Sequence, residues 1–239
     1  MKPVLVFNSV NWSEAYDSSD PLWSVGDWFR NGWNGNERPL DIRHVKDEDY
    51  PNLDGYSGLI LTGSPSSAYD KDDWIARLSG VILEAVDRKL PTLGVCFGHQ
   101  LIAQALGGRV EPNPKGWEIG DPEVVLTEEG RADPIFDGIP NSFRVIQSHR
   151  DIVTEMPEES VLLASNGLCS IQAYAIGDYL RTVQFHPEMN PEHLRYILGP
   201  RREKILESSG IDIHEVLPKV CSTPDSRRIF RNFEKHFVK

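Results

Sequence analysis

Cys96 stands between two glycines in Leu93-Gly94-Val95-Cys96-Phe97-Gly98-His99-Gln100, and the helical pattern Leu101, Ile102, Gln104, Ala105, Leu106 follows at once. An apolar strand that runs into Gly-x-Cys-x-Gly and then a helix has the spacing of a nucleophile elbow, with cysteine in the serine position. Gly94 and Gly98 relieve contact with neighbouring backbone in so tight a turn, which pushes Sγ out above the sheet. The helix N-terminus behind the sulfur favours thiolate, the reactive species. A second segment, Val183-Gln184-Phe185-His186-Pro187-Glu188, supplies what a thiol nucleophile lacks. In an extended chain residues i and i+2 share a face, so His186 and Glu188 lie side by side with Pro187 stiffening the link. A base whose second ring nitrogen is held by a carboxylate has its tautomer and orientation fixed. His99, next to the elbow, is expected to pack or cap. Cys169 and Cys221 are expected to be bystanders.

The elements that must position these groups read as an alternation. Val4–Phe7, Gly58–Leu61 and Thr92–Val95 are short apolar runs bounded by polar or turn residues, as in buried strands. Asp72–Leu90 carries Trp74, Ile75, Leu78, Val81, Ile82, Ala85 and Val86 at helical spacing, with Pro91 as its stop. Strand, helix and strand in succession imply parallel strands with right-handed crossovers. The second half differs: Val124–Leu126, Phe143–Ile146, Val161–Ala164, Ile171–Ile176 and Leu180–Phe185 are runs joined by short turns, which suggests antiparallel additions. A helix is expected from about Pro191 to Ser208, and another after Thr223-Pro224, with Thr as cap and Pro at the first helical position. The expected fold class is α/β, a central mostly parallel sheet flanked by helices with an antiparallel extension.

The 239 residues suit a single domain over 1–239. Within it, a tryptophan-rich insertion at about 9–37 holds Trp12, Trp23, Trp28 and Trp33. A short helix starting at Asp20-Pro21 would present Leu22, Val25 and Phe29 on one face. That segment is either a packing element or a functional one, a lid over a pocket or a partner surface. The net charge of −11 argues against nucleic acid as a partner. No apolar run reaches the ~18 residues of a membrane helix, and the N-terminal run stops at Asn8, too short for a signal peptide. Three cysteines without a CxxC pair point to a reducing cytoplasm, and no His/Cys/Asp cluster has zinc spacing. Neither a metal nor a cofactor is expected.

Gly94–Gln100 and Gln184–Glu188 together resemble the two signatures of class I, triad-type glutamine amidotransferases, with the stand-alone domains similar to that of GMP synthase nearest. The resemblance implies a flavodoxin-like sheet and an attack by Cys96 on a side-chain carboxamide. It implies that backbone N–H groups of Phe97 and of the Gly63/Ser64 turn meet the oxyanion. His186, oriented by Glu188, would protonate departing ammonia and then activate water against a γ-glutamyl thioester. Gln100 and the Ser148-His149-Arg150 segment would hold the substrate. Lys115-Gly116-Trp117-Glu118-Ile119-Gly120 also looks like a subtype feature, without an assigned role. Two departures stand out: Ser64 occupies the place of the usual second glycine of the oxyanion turn, and Arg150 with Asp151 would either meet a charged substrate terminus or form an exposed ion pair. The chain lacks a GxxxxGK[ST] loop and a Ser-Gly-Gly-x-Asp-Ser loop, and the stretch after Glu188 is too short for a synthetase domain. The ammonia acceptor is therefore expected to be a synthase subunit or water. Three readings stay open: a glutaminase feeding a synthase, a γ-glutamyl hydrolase or peptidase acting on small γ-glutamyl compounds, and a non-catalytic binding protein on the same fold.

Overall fold

The computed structural model describes residues 1–10, 16–47 and 50–239. Along the chain, β1 (Val4–Asn8) leads through α1 (Val25–Trp33) to β2 (Leu40–His44). β3 (Gly58–Leu61) leads through α2 (Asp73–Asp87) to β4 (Thr92–Val95), and α3 (Phe97–Ala105) follows at once. Next come β5 (Arg109–Pro112), β6 (Glu118–Gly120), β7 (Glu123–Leu126), α4 (Glu128–Ala132), β8 (Ser142–Arg144) and β9 (Gln147–His149). β10 (Asp151–Glu155), β11 (Ser160–Ser165), β12 (Ala173–Ile176) and β13 (Leu180–Val183) complete the strands. The helices α5 (Pro191–Leu198), α6 (Arg202–Ser209), α7 (Ile213–Val216) and α8 (Arg228–Phe237) follow.

The main sheet has the order β2-β1-β3-β4-β13-β12-β11-β7-β8. From β2 to β13 every neighbouring pair is parallel, and from β13 to β8 every pair is antiparallel. This is the expected α/β architecture: strands joined through helices run parallel, and strands joined by short turns reverse. The short strands β3, β4 and β13 are buried along their whole length, because helices cover both faces of the parallel half. On one face α2 buries Ile75, Leu78, Ile82 and Ala85, a stripe at helical spacing. It ends at Asp87, short of Leu90, because Lys89 takes a left-handed φ of 50° just before Pro91.

Three expectations shift. The short helix begins at Val25, not at Asp20-Pro21. There the Asp20 carboxylate instead accepts from the Leu22 N–H in a local turn, and Ser24 caps the helix by accepting from the Asp27 N–H. Val25 and Phe29 are buried on α1 as expected, together with Trp28 and Trp33, while Trp12 lies outside the described residues. Since α1 is the crossover between two paired parallel strands, much of the tryptophan-rich segment is framework. Its back packs so closely on α8 that a Cβ at Gly32 would sit 2.6 Å from the Phe230 ring. The long closing helix is broken by the turn Gly199–Arg201, which contains Pro200, into α5 and α6. The last helix begins at Arg228 rather than at Pro224, because Thr223 accepts from the Ser226 hydroxyl in a turn instead of capping.

Two small ribbons, β5 with β10 and β6 with β9, stand beside the main sheet. In the second, Glu118 lies opposite His149. The buried Glu118 carboxylate accepts from His149 Nε2 at 3.0 Å, from Gln172 Nε2 at 3.0 Å and from Asn166 Nδ2. Gln147 in turn donates to Gln172 at 2.7 Å. The Lys115–Gly120 segment thus acquires a structural role, as one carboxylate ties together residues of three loops and strands. Among the described residues no helix is long and apolar enough to cross a membrane. Replacing Glu118 by Leu leaves three donors without their acceptor and is expected to destabilise the fold by about 3 kcal/mol or more. Equilibrium denaturant unfolding measures this, and an unchanged midpoint would show that the network carries no stability.

Candidate active site

Parallel pairing of β4 with β13 places Val95 beside Val183, so the two chains leave the carboxyl edge of the sheet as neighbours. That edge is where open α/β sheets bind ligands. Cys96 follows β4 and caps α3 with φ 51° and ψ −101°, a conformation that side chains other than glycine rarely take. Its N–H donates to the Val183 carbonyl, and its own carbonyl accepts the first helical bond from Gln100. The flanking glycines have the steric cause expected of them. A Cβ at Gly98 would lie 2.6 Å from the Leu61 carbonyl oxygen, and one at Gly94 would lie 2.9 Å from the Gly98 backbone. Phe97 is the first residue of α3, so its N–H is one that the helix leaves without an internal partner.

His186 and Glu188 arrive from the other strand, through bends that begin after β13 ends at Val183 rather than along a continued strand. The His186 N–H donates to the Ile146 carbonyl and anchors the segment. His186 Nδ1 and Glu188 Oε1 are 2.7 Å apart, and both side chains are buried. Burial alone would push the His186 pKa down, but the Glu188 carboxylate and the Cys96 sulfur outweigh it and hold the imidazole at about 10. The Gly63/Ser64 turn closes the site from β3: a Cβ at Gly63 would sit 2.9 Å from His186 Cε1 and 3.7 Å from the Cys96 Cβ. Only glycine permits that approach. Ser64 borders the same cavity and its hydroxyl accepts from the Ser66 N–H.

A cysteine on a strained elbow and a carboxylate-held histidine on the adjacent strand form one constellation. The sequence model of glutamine amidotransferase class-I matches residues 35–198. The chain belongs to this family. It is 32% identical over 209 residues to γ-glutamyl peptidase 3 of Arabidopsis thaliana, spanning 83% of this chain and 82% of that protein. It is also 37% identical over 136 residues to a glutamine-hydrolysing GMP synthase component of Methanopyrus kandleri, spanning 56% of this chain and 67% of that one. Among solved structures, a glutamine amidotransferase from Thermotoga maritima superposes with a TM-score of 0.78 at 22% identity, covering 100% of this chain and 99% of that one. That last likeness is one of fold.

Around this family's centre the remaining expected residues divide. Ser148 borders the cleft and its hydroxyl is buried without a protein partner, while the exposed Arg150 lines the same cleft. His149 also borders it, yet both its ring nitrogens face acceptors inside the protein, the Asp151 carbonyl at 3.1 Å and Glu118 at 3.0 Å. Gln100 is similarly engaged: its Nε2 donates to the Asp151 carbonyl at 2.8 Å and to Gln184 Oε1 at 3.0 Å. That leaves its carbonyl oxygen as the group available to a substrate. His99 packs, as expected, with Nδ1 2.8 Å from the Thr182 hydroxyl and its pKa lowered to about 3 by burial and the nearby His149. Cys169 is buried and its thiol pushed up to about 12, whereas Cys221 is exposed. Among the described residues, no group of three or more His, Cys, Asp or Glu side chains is arranged to hold a metal ion.

Gln184 is the residue that spacing alone did not single out. It lies directly after β13, fully buried, and its Nε2 donates to the Cys96 sulfur at 3.6 Å. Because Gln100 donates to its Oε1, the amide can face the sulfur only with its NH2 end. The signal was present as the register of two parallel strands, which no local pattern reveals. Replacing Gln184 by Leu removes a donor to the sulfur, worth about tenfold or more in thiol reactivity if the sulfur is anionic. The rate of Cys96 alkylation by chloroacetamide at neutral pH measures it, with the unfolding midpoint followed in parallel. An unchanged rate would leave Gln184 a purely structural residue.

Proposed function

We propose that this chain hydrolyses γ-glutamyl amides, with Cys96 as nucleophile, His186 as acid and base, Glu188 as its orienter, and an amine rather than ammonia as the usual leaving group. The observation that carries the reading is the polarity of the cleft. Cys96 sits between two halves, and His186 borders only one of them. That half is walled by Val10, Val25, Trp28, Met189 and Ile197. The acid that protonates the departing nitrogen therefore faces hydrocarbon, which suits an amine bearing carbon substituents. The other half, with Ser67, Gln100, Ser148, Arg150 and Asp151, has the polar groups an α-amino acid head requires. Similarity to a γ-glutamyl peptidase over most of both chains supports the same reading.

The chemistry balances in two steps. The Cys96 thiolate bonds to the γ-carbonyl carbon, and the oxyanion is met by the N–H groups of Phe97 and of the Gly63/Ser64 turn. As the C–N bond breaks, His186 gives its proton to the amine. Water then loses a proton to His186 and bonds to the thioester carbon, the C–S bond breaks, and glutamate leaves. A high pKa keeps His186 protonated at neutral pH, ready for the first of these transfers.

The second reading, glutamine hydrolysis that feeds ammonia to a synthase, is favoured by the similarity to the glutamine-hydrolysing GMP synthase component. The two readings separate in one substrate panel. Faster turnover of γ-glutamyl dipeptides than of glutamine is expected, and the reverse order would overturn the proposal in favour of the amidotransferase. Cys96→Ala is expected to abolish turnover and labelling by a glutamine-analogue electrophile. The pH profile follows from His186. Its pKa is raised, so the imidazolium persists through neutral pH and is lost as pH rises through about 10, where kcat/KM should fall. In Glu188→Gln the counter-charge is gone and this alkaline limb should move down by about one to three pH units. A limb that stays in place would sever Glu188 from the proton on His186.

A further inference from the structure

In a chain of net charge −11, the cleft around Cys96 is bordered by three cations, Arg150, Arg201 and Lys204, none paired with a carboxylate among the described residues. Among the described residues Asp151 is the one acidic side chain on the polar half, and its carboxylate already accepts from the Ser67 hydroxyl. Such a rim selects for a ligand with more than one negative group. Glutamine has a single carboxylate, whereas a γ-glutamyl amino acid has two, one on the glutamyl head and one on the leaving residue.

Position assigns the cations to these groups. Among the described residues, Ser64, Pro65, Cys96, Ser148 and Arg201 border both halves of the cleft, and of these Arg201 carries the one cationic side chain. It stands at the end of the turn Gly199–Arg201 that breaks α5 from α6, half-buried, with its guanidinium 5.9 Å from the Tyr16 ring. Tyr16 is itself fixed, since its hydroxyl donates to the Ile197 carbonyl at 2.6 Å. Arg150 and Lys204 border only the polar half, where the glutamyl head would lie. Across the sulfur from that head, Arg201 and the apolar wall of Val25, Trp28, Met189 and Ile197 border the same space. An amine that fills it carries a hydrocarbon side chain and a carboxylate on the carbon next to the scissile nitrogen. That is an amino acid.

The geometry points to Arg201 as the residue that receives the carboxylate of the leaving group, and to γ-glutamyl derivatives of apolar amino acids with a free carboxylate as the substrate class. The inference rests on the γ-glutamyl amide hydrolase reading and adds to it the residue that sets the choice. Bidentate recognition of a carboxylate is what a guanidinium does better than an ammonium, so lysine at this position should be an incomplete substitute.

The test uses the full chain and three compounds: γ-glutamyl-leucine, γ-glutamyl-isopentylamide (the same amide without the leaving-group carboxylate), and glutamine. The readout is the ratio of kcat/KM for the first two. The wild-type ratio is expected to exceed about tenfold, the range of a charge-assisted hydrogen bond. Arg201→Gln should remove most of that preference and Arg201→Lys should restore part of it. A loosened structure would lower both substrates alike and leave the ratio unchanged, so an unchanged ratio in Arg201→Gln overturns the inference. A wild-type ratio near one overturns it as well. Hydrolysis of glutamine with neither amide cleaved would instead sink the hydrolase reading on which the inference stands, and the inference with it.

Discussion

The site depends on the parallel pairing of β4 with β13, two strands far apart in sequence. Their register, Val95 beside Val183, brings the elbow cysteine and the Gln184–Glu188 segment off the sheet at one edge. Two hydrogen bonds lock the relation: the Cys96 N–H to the Val183 carbonyl, and the Gln184 amide to the Cys96 sulfur. A slip of one residue would turn every side chain of β13 to the other face and take Gln184 and its neighbours out of reach. Burial of both strands on both faces is what makes such a slip prohibitive. The hydrophobic core therefore sets the catalytic geometry as directly as it sets stability.

Given that frame, the centre is a problem of buried charge. Taking an imidazole, a carboxylate and a thiol out of water disfavours every ionised form, and the burial of His186 by itself lowers its pKa. Proximity reverses the outcome, since a carboxylate at 2.7 Å and the nearby Cys96 sulfur make the charged imidazole the favoured state. His99 shows the same chemistry without the partners: equally buried, facing a hydroxyl rather than an anion, it is driven down to about 3. Two histidines in one protein thus stand far apart in basicity. The difference lies in the charges nearby: an anionic partner beside His186, and among the described residues none but a second imidazole near His99.

Local pattern carried most of the frame. The strands Val4–Phe7, Gly58–Leu61 and Thr92–Val95 show as short apolar runs because both their faces are covered, and the elbow shows because its steric demands leave glycine at two fixed positions. What escaped has physical reasons too. β2, Leu40-Asp41-Ile42-Arg43-His44, is an edge strand that is half-buried throughout, so charged residues interrupt any apolar run. Glu118 looks like a surface acid in sequence, and only the ribbon with His149 makes it an internal anchor. The break between α5 and α6 was masked by a helical pattern that continues through Gly199-Pro200. Gln184 was in plain view inside the His-Pro-Glu segment, but its role is a long-range one.

One of these, the break between α5 and α6, also shapes the cleft beyond the shared centre, and this is no coincidence. A nucleophile, its base and an oxyanion turn are constrained by the reaction, so their spacing is rigid and readable. What surrounds them is constrained only by the molecule to be held, and it is drawn from whichever elements happen to reach the sheet edge. Here these are the crossover helix α1, which contributes Val25 and Trp28, and the broken α5–α6 junction, which contributes Ile197 and Arg201. Trp28 stacks at 4.3 Å on His193 of α5, so the two elements brace each other into one wall. The described part of the tryptophan-rich segment is at once framework and cavity wall. One face of α1 packs on Phe230 of α8, while Val25 and Trp28 near its start border the same cavity as Cys96.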